Sequence, residues 1–216
     1  MDSGERKGWL EIITINELDS HMAAIGQAEA NADIVKQMFA EYPLQPNSRL
    51  LIPGCGTAQL FDYIQPSDLG SNIELVLTDI KPSFLAKARE RLQRFSGINY
   101  TTQEDDIEDT KLKGTYGSAL VVLVLQHVEW QKALDSLVSL NPSKFYIIEQ
   151  EQDPSQHAVT KSRQLSEVWR RYAEVANPQL ILRKELTDYL VKKGYEVIGS
   201  YERAVQNNKT MYCFVF

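Results

Sequence analysis

Five residues, Gly54-Cys55-Gly56-Thr57-Ala58, follow an apolar run and are the first in this 216-residue chain whose types suggest chemistry. Glycines there let the backbone turn sharply and approach a ligand that a Cβ would hold away. A helical pattern follows, so the N–H groups of its first turn are free to face that ligand. Asp79 ends the next apolar run, 25 residues beyond Gly54. A carboxylate at that place accepts hydrogen bonds from both ribose hydroxyls of an adenine nucleoside. Its competing role is a cap on the helix that begins at Lys81-Pro82, where a negative charge is also favoured.

The spacing bears on the cofactor. A dinucleotide fingerprint puts its third small residue at position 59, which is Gln59 here, whereas this chain has Ala58 one place earlier. That favours S-adenosylmethionine, which has no pyrophosphate to cradle.

Further along stand groups that could act on an acceptor. Gln126-His127 follows an apolar run directly. Neutral His127 is a candidate general base for an amine or hydroxyl, since histidine titrates nearest neutral pH. The alternative is a ring that orders the strand exit. Glu149, Gln150 and Glu151 follow another apolar run and are candidates for an acceptor pocket or for a plain surface loop, as is His157. Leu165, Val168, Tyr172 and Val175 recur at helical spacing, with Trp169 placed to join that face or to cover the acceptor. Arg163, Arg170 and Arg171 suit an anionic substrate, while the interleaved Glu167 and Glu174 suit a charged solvent face. The acidic cluster Asp105, Asp106, Glu108 and Asp109 lacks the spacing of a calcium loop, and no metal is expected there.

These groups need a scaffold. Seven short apolar runs read as strands: Arg49–Pro53, Glu74–Asp79, Ile98–Thr102, Ser118–Leu125, Lys144–Glu149, Tyr195–Tyr201 and Thr210–Phe216. Helical patterns over Pro82–Phe95, Gln131–Leu140 and Arg183–Lys193 alternate with them. The alternation predicts an α/β fold: a Rossmann-like, mostly parallel seven-stranded sheet with helices on both faces. The last two runs are joined by a short stretch with Asn207-Asn208, too short for a parallel crossover, so the last strand should be antiparallel. Two helical stretches stand outside the alternation: residues 17–41, with His21, Met22, Ile25 and Gln27, read as an N-terminal cap, and residues 158–178, read as a lid after the fifth strand. The whole of 1–216 is expected to be one domain.

Composition narrows the class. Apolar residues at 43% suffice for a core, yet no run nears the roughly 18 needed to cross a bilayer. The net charge is −6 with no long basic block, so nucleic acid is not an expected partner. The opening MDSGERKGW lacks the order of a secretory signal, and Cys55 and Cys213 allow at most one disulfide, which together suggest the cytoplasm. A monomer or homodimer acting on a small molecule is expected.

LLIPGCGTAQL (Leu50–Leu60) resembles the first motif of class I S-adenosylmethionine-dependent methyltransferases. LTDIKPSFLAKARERL (Leu77–Leu92) is similar to their second strand and following helix, EDDIEDTKL (Glu104–Leu112) to the motif after the third strand, and YGSALVVLVLQHV (Tyr116–Val128) to the fourth strand and its exit. The resemblance implies cofactor contacts at Gly54, Cys55, Gly56, Val122 and Leu123, with Asp79 and Ile80 at the ribose. It also implies Asp106 at the adenine amino group and the Ile107 backbone against the ring. Three positions depart from the pattern: Ile52 replaces an acidic residue, Ala58 the third glycine, and Gly117 an aspartate. With Ile52, the methionine ammonium must be met by backbone carbonyls, water or the N-terminal segment.

The sequence therefore reads as a small-molecule O- or N-methyltransferase, with Gln126, Glu149, Arg163, Trp169 and Tyr172 as candidate acceptor contacts. The alternatives are a non-catalytic S-adenosylmethionine-binding module, favoured by Ile52 and Ala58, and a nicotinamide oxidoreductase, opposed by Gln59 and the terminal hairpin.

Overall fold

The computed structural model describes residues 3–151, 166–176, 178–205 and 209–216. Strands β1 (Arg49–Pro53), β2 (Glu74–Asp79), β3 (Asn99–Glu104), β4 (Ser118–Val122), β5 (Lys144–Glu151), β6 (Gly199–Val205) and β7 (Lys209–Val215) form one sheet in the order β3-β2-β1-β4-β5-β7-β6. The pairs from β3 through β5 are parallel, and β7 runs antiparallel to both β5 and β6. The expected fold class is the observed one. The reversed strand is not the edge, however: β7 lies between β5 and β6, so its backbone is hydrogen-bonded on both sides.

Strand alternation splits the core into two layers. Leu50, Ile52, Leu75, Leu77, Tyr146 and Ile148 pack on one side with helix α3 (Gln27–Glu41), through Val35, Met38 and Phe39. Leu51, Val76, Val121, Phe145 and Ile147 face the other side and meet α5 (Trp130–Val138) and α7 (Arg183–Lys192), through Leu134, Leu137, Leu186 and Leu190. The chain leaves β1 toward β2 and β3, then returns to place β4 on the opposite side of β1. A crevice therefore opens at the carboxyl ends of β1 and β4, where sheets of this kind bind ligands.

Several boundaries differ from the sequence reading. The stretch 17–41 is two helices, α2 (Ile15–Ala24) and α3, parted at Gly26, whose φ of 65° ends one helix and enters the next. Ahead of them lie α1 (Ser3–Lys7) and a wide turn of helix, Gly8–Ile12, which the sequence did not suggest. The helix expected after the glycine loop is only a tight 3-10 turn, Gln59–Asp62, because Ala58 stands in left-handed backbone at φ 55°. The fourth strand stops at Val122, since Leu123 turns left-handed at φ 54°. Of the expected lid, α6 (Glu167–Val175) is described, capped by Ser166, whose hydroxyl accepts the Trp169 N–H at 3.4 Å. His157, Arg163 and the rest of 158–165 lie outside the described residues.

A third apolar cluster joins these peripheral elements. Ile13, Phe84 from α4 (Pro82–Leu92), Trp169 and Tyr172 are its buried members, with Trp9 and Leu18 against them. It stands over the crevice, so the N-terminal segment and α6 close the site together. Among the described residues no helix is long and apolar enough to cross a membrane.

Candidate functional site

The backbone of the glycine loop is forced, not merely permitted. Gly54 and Gly56 stand at φ 59° and 55°, in the left-handed region that L side chains avoid. A Cβ on Gly54 would lie 2.3 Å from Val124 Cγ2, so the end of β1 meets the exit of β4 only because Gly54 has no side chain. The loop is then tied to β2. Cys55 N–H donates to the Thr78 carbonyl at 2.9 Å, and Gly56 N–H to Asp79 Oδ2 at 2.8 Å.

Asp79 stands between the loop and α4. Its Oδ1 accepts the Lys81 N–H at 2.9 Å at the start of α4, and the residue also lines the cavity beside the loop. Burial, only partly offset by the N–H groups of Lys81 and Gly56, pushes its pKa up to about 6.

Behind the loop lies a buried cation. Arg91 on α4 donates to the Thr57 carbonyl at 2.6 Å, to Asp62 at 3.0 Å and to Asp19 on α2 at 2.5 Å. Asp19 also accepts the Thr57 hydroxyl at 2.5 Å. One guanidinium thereby fixes loop, 3-10 turn and cap helix to each other.

The crevice is a cavity of about 430 Å³, a size usual for a small-molecule site. Gly54, Cys55, Gly56, Asp79, Ile80, Ile107, Val122 and Leu123, residues the sequence suggests for a cofactor, all line it. Gln126, His127, Trp169 and Tyr172, which the sequence suggests for an acceptor, line it too. Asp106 is not among the lining residues: its Oδ2 accepts from Arg6 at 2.7 Å and its Oδ1 from the Glu108 N–H at 3.0 Å. Partial burial opposes ionisation there, but Arg6 and the Glu108 N–H outweigh it and hold the Asp106 carboxyl below its ordinary value. Glu149 is absent from the lining for a different reason. It alternates with Ile148 and Gln150 along β5 and so points to the other face, where its Oε1 accepts the Leu125 N–H at 3.2 Å. Burial pushes its pKa up to about 8. Gln150, one residue on, does line the cavity. Arg170 and Arg171 are exposed on α6 and do not line it.

Three neutral amides form the wall next to α3. Gln27 Nε2 donates to Gln150 Oε1 at 3.2 Å and reaches Met211 Sδ at 3.6 Å. Asn31 stands one helical turn after Gln27, is 3% exposed, and its Oδ1 meets no donor among the described residues. No lysine or arginine lines the cavity among the described residues. No group of three or more His, Cys, Asp or Glu there could hold a metal ion either.

His127 sits where α1, α6 and the β4 exit meet. Its Nδ1 is 3.1 Å from the Tyr172 hydroxyl and 3.4 Å from Glu5 Oε2, while Tyr172 donates to that same Glu5 oxygen at 2.8 Å. The Tyr172 proton is used on the carboxylate, so the tyrosine oxygen is left to accept from Nδ1–H. On the far side Nε2 lies 3.1 Å from the Gln126 amide nitrogen, which can only donate. Both contacts place the ring proton on Nδ1 and a lone pair on Nε2. Burial, with the Glu5 charge alongside, pushes the Tyr172 phenol up, so it stays protonated. Trp9 closes edge-on over the imidazole, ring centroids 5.0 Å apart. Lys81 Nζ holds that segment down by donating to the Trp9 carbonyl at 2.8 Å and the Ile13 carbonyl at 2.5 Å.

The sequence reading passed over Glu5, Trp9, Asn31 and Arg91. Glu5 and Trp9 are four apart on one helical face, a weak signal in so short a segment. Asn31 repeats Gln27 at the same interval. Nothing in the sequence alone distinguishes Arg91 from its surface neighbours Arg89 and Arg94.

Residues 51–141 match the family model described as a methyltransferase domain. Among solved structures, magnesium protoporphyrin IX methyltransferase from Synechocystis PCC 6803, with bound S-adenosylhomocysteine, is similar over 99% of this chain and 95% of its own, at 16% identity and a TM-score of 0.63. Geranyl diphosphate C-methyltransferase from Streptomyces coelicolor A3(2) is similar over 87% and 78%, at 10% identity and 0.61. The (4+2)-cyclase SpnF is similar over 81% of this chain, at 14% identity and 0.61, and this chain spans 60% of its length. At such identities the likeness shows a shared fold. No curated protein matches the chain in sequence. The class I resemblance carried by Leu50–Leu60 and Leu77–Leu92 is thus met independently, by a methyltransferase family model and by the Rossmann-like fold of methyltransferases.

Proposed function

We propose that this chain is an S-adenosylmethionine-dependent methyltransferase that acts on an oxygen or nitrogen of a small molecule without an anionic group near the reacting atom. The observation that carries the reading is the shared cavity of the Gly54–Gly56 turn and Asp79 at the β1–β4 switch point. The loop fits the cofactor: Gly54 and Gly56, both at positive φ, bring bare backbone to the cavity wall, and the Asp79 carboxylate is an acceptor for the two ribose hydroxyls. Gly54, Cys55 and Gly56 would hold the methionyl end, Asp79 and Ile80 the ribose, Ile107 the adenine ring, and Val122 and Leu123 the middle. Asp106 reaches an adenine amino group only by sharing or leaving its Arg6 partner. When bound, S-adenosylmethionine supplies a methyl group already activated on a sulfonium.

The chain's own residues then have three tasks. Trp9, Trp169 and Tyr172 exclude water from above. Gln27, Asn31 and Gln150 offer neutral hydrogen bonds that orient an acceptor. Nε2 of His127 takes the acceptor proton once the acceptor displaces the Gln126 amide N–H from it. The absence of Lys and Arg from the described lining favours an uncharged acceptor over the anionic one suggested by Arg163, Arg170 and Arg171. A cytoplasmic location and a monomer or homodimer, in a single domain, complete the reading.

Calorimetric titration with S-adenosylhomocysteine and with NADH tests the cofactor. S-adenosylhomocysteine alone should bind; NADH alone would move the assignment to an oxidoreductase. Release of S-adenosylhomocysteine with a panel of neutral hydroxyl and amine acceptors then separates catalyst from binding module. Binding without turnover across the panel would favour the non-catalytic module, for which Ile52 and Ala58 speak.

A further inference from the structure

Glu5 is 3% exposed although it lies only a few residues into the described chain, and its Oε1 meets no donor among the described residues. A buried carboxylate left half-satisfied costs stability, so its position calls for a reason. Its other oxygen supplies one. Oε2 accepts the Tyr172 hydroxyl at 2.8 Å and stands 3.4 Å from His127 Nδ1, so α1, α6 and the β4 exit each give one member of a three-residue chain.

We infer that Glu5 is a positioning residue for proton transfer, holding His127 through Tyr172 so that the ring proton stays on Nδ1 and Nε2 remains the accepting nitrogen. The inference rests on the methyl-transfer reading for its consequence, though not for its geometry. In the step itself the acceptor's O–H or N–H bond breaks and its electron pair makes the new bond to the methyl carbon. The C–S pair stays with sulfur, and the proton goes to His127 Nε2, whose lone pair the Gln126 amide N–H gives up to the acceptor. The imidazolium so formed has the Glu5 carboxylate within ion-pair distance and Tyr172 as its hydrogen-bond partner. Without that carboxylate the charged ring would face the Trp9 indole and an amide N–H.

Glu5 also belongs to the segment that Lys81 fastens through the Trp9 and Ile13 carbonyls and that Arg6 ties to Asp106. The base is therefore completed only when this segment lies over the cavity. Acceptor proton transfer and exclusion of water then depend on the same closure.

Two measurements on the full chain test this. Nitrogen-15 NMR of the imidazoles, with no ligand added, should show the neutral form of His127 carrying its proton on Nδ1; a neutral ring carrying it on Nε2 overturns the inference. Glu5→Gln keeps the shape and removes the charge, and should lower kcat roughly tenfold while KM and the S-adenosylhomocysteine affinity stay within about twofold. In His127→Asn, already slow, adding Glu5→Gln should cost nothing further, whereas a second full loss would mean that Glu5 acts only on the fold. An unchanged kcat in Glu5→Gln would likewise overturn the inference. Should no variant, nor the native chain, turn over any acceptor, the methyl-transfer reading fails instead, and the ring tautomer alone decides the relay.

Discussion

Asp79 Oδ2 accepts the Gly56 N–H at 2.8 Å, so the carboxylate expected to meet a ribose also braces the loop expected to meet the methionyl end. Both halves of the proposed cofactor site are thus one hydrogen-bonded unit. Its pKa, pushed up by burial to about 6, means that mild acid protonates it. A protonated carboxyl accepts less well from ribose hydroxyls, so S-adenosylhomocysteine affinity should fall as pH drops through 6. Asp79→Asn should bind roughly ten- to a hundredfold more weakly, as expected for losing hydrogen bonds to a charged group, and without that pH dependence. Calorimetry on both forms between about pH 5 and pH 8 checks the pair of outcomes.

Gly54 and Gly56 should respond differently to alanine, although both stand at positive φ. At Gly56 the nearest atom to an added Cβ is Leu18 Cδ2 at 3.5 Å, ordinary contact, so only the left-handed backbone costs, about 1 kcal/mol. At Gly54 the added atom would sit 2.3 Å from Val124 Cγ2, and β1 and the β4 exit must part. Gly54→Ala should therefore lose more stability in urea unfolding than Gly56→Ala, and should abolish measurable S-adenosylhomocysteine binding. Equal losses would mean that the Val124 contact gives way easily.

Arg91 is the buried hub that the glycine loop leans on. Removing one partner of a buried charge cluster leaves the others unpaired, and such changes cost about 3–5 kcal/mol. Arg91→Ala strands Asp19, leaves Asp62 to Arg94 alone and frees the Thr57 carbonyl, so it should fall toward the low end of that range by denaturant unfolding. Arg89→Ala, whose side chain only bonds the Thr102 hydroxyl on the surface, should cost far less.

Much of this architecture was legible because it is written in local chemistry. Strand periodicity, the glycine spacing and the acid at Asp79 are short-range signals, and each corresponds to an element or contact in the fold. What escaped depends on groups far apart in the chain. Glu5 reads as one more charge in a polar start until Tyr172, 167 residues on, takes its oxygen. Glu149 and Gln150 are indistinguishable as a polar pair after a strand; only the phase of the pleat decides that Gln150 faces the cavity and Glu149 the opposite layer. The extra left-handed residue Leu123 ended the fourth strand early, and no propensity announces a leucine there. Arg163, an acceptor candidate from sequence, lies outside the described residues.

Glu149 gives a prediction of its own, in stability rather than binding. It is fully buried, accepts one hydrogen bond from Leu125 N–H, and its pKa is raised from 4.5 to about 8. In the unfolded chain the group ionises near 4.5, while the folded chain keeps its proton until about 8. Between those values folding takes up a proton, so stability declines as pH rises, by roughly 1.4 kcal/mol per pH unit at full effect. Below the window the contribution is wholly present; above it, wholly lost. Glu149→Gln has no proton to lose and can still accept from Leu125 N–H through its carbonyl. Its unfolding free energy should therefore be flatter across that window, with the gain over the native chain largest at pH 8 and above. A native profile already flat from acid to alkaline pH would show that water reaches Glu149, and that the strand end beside the cavity is looser than its packing implies.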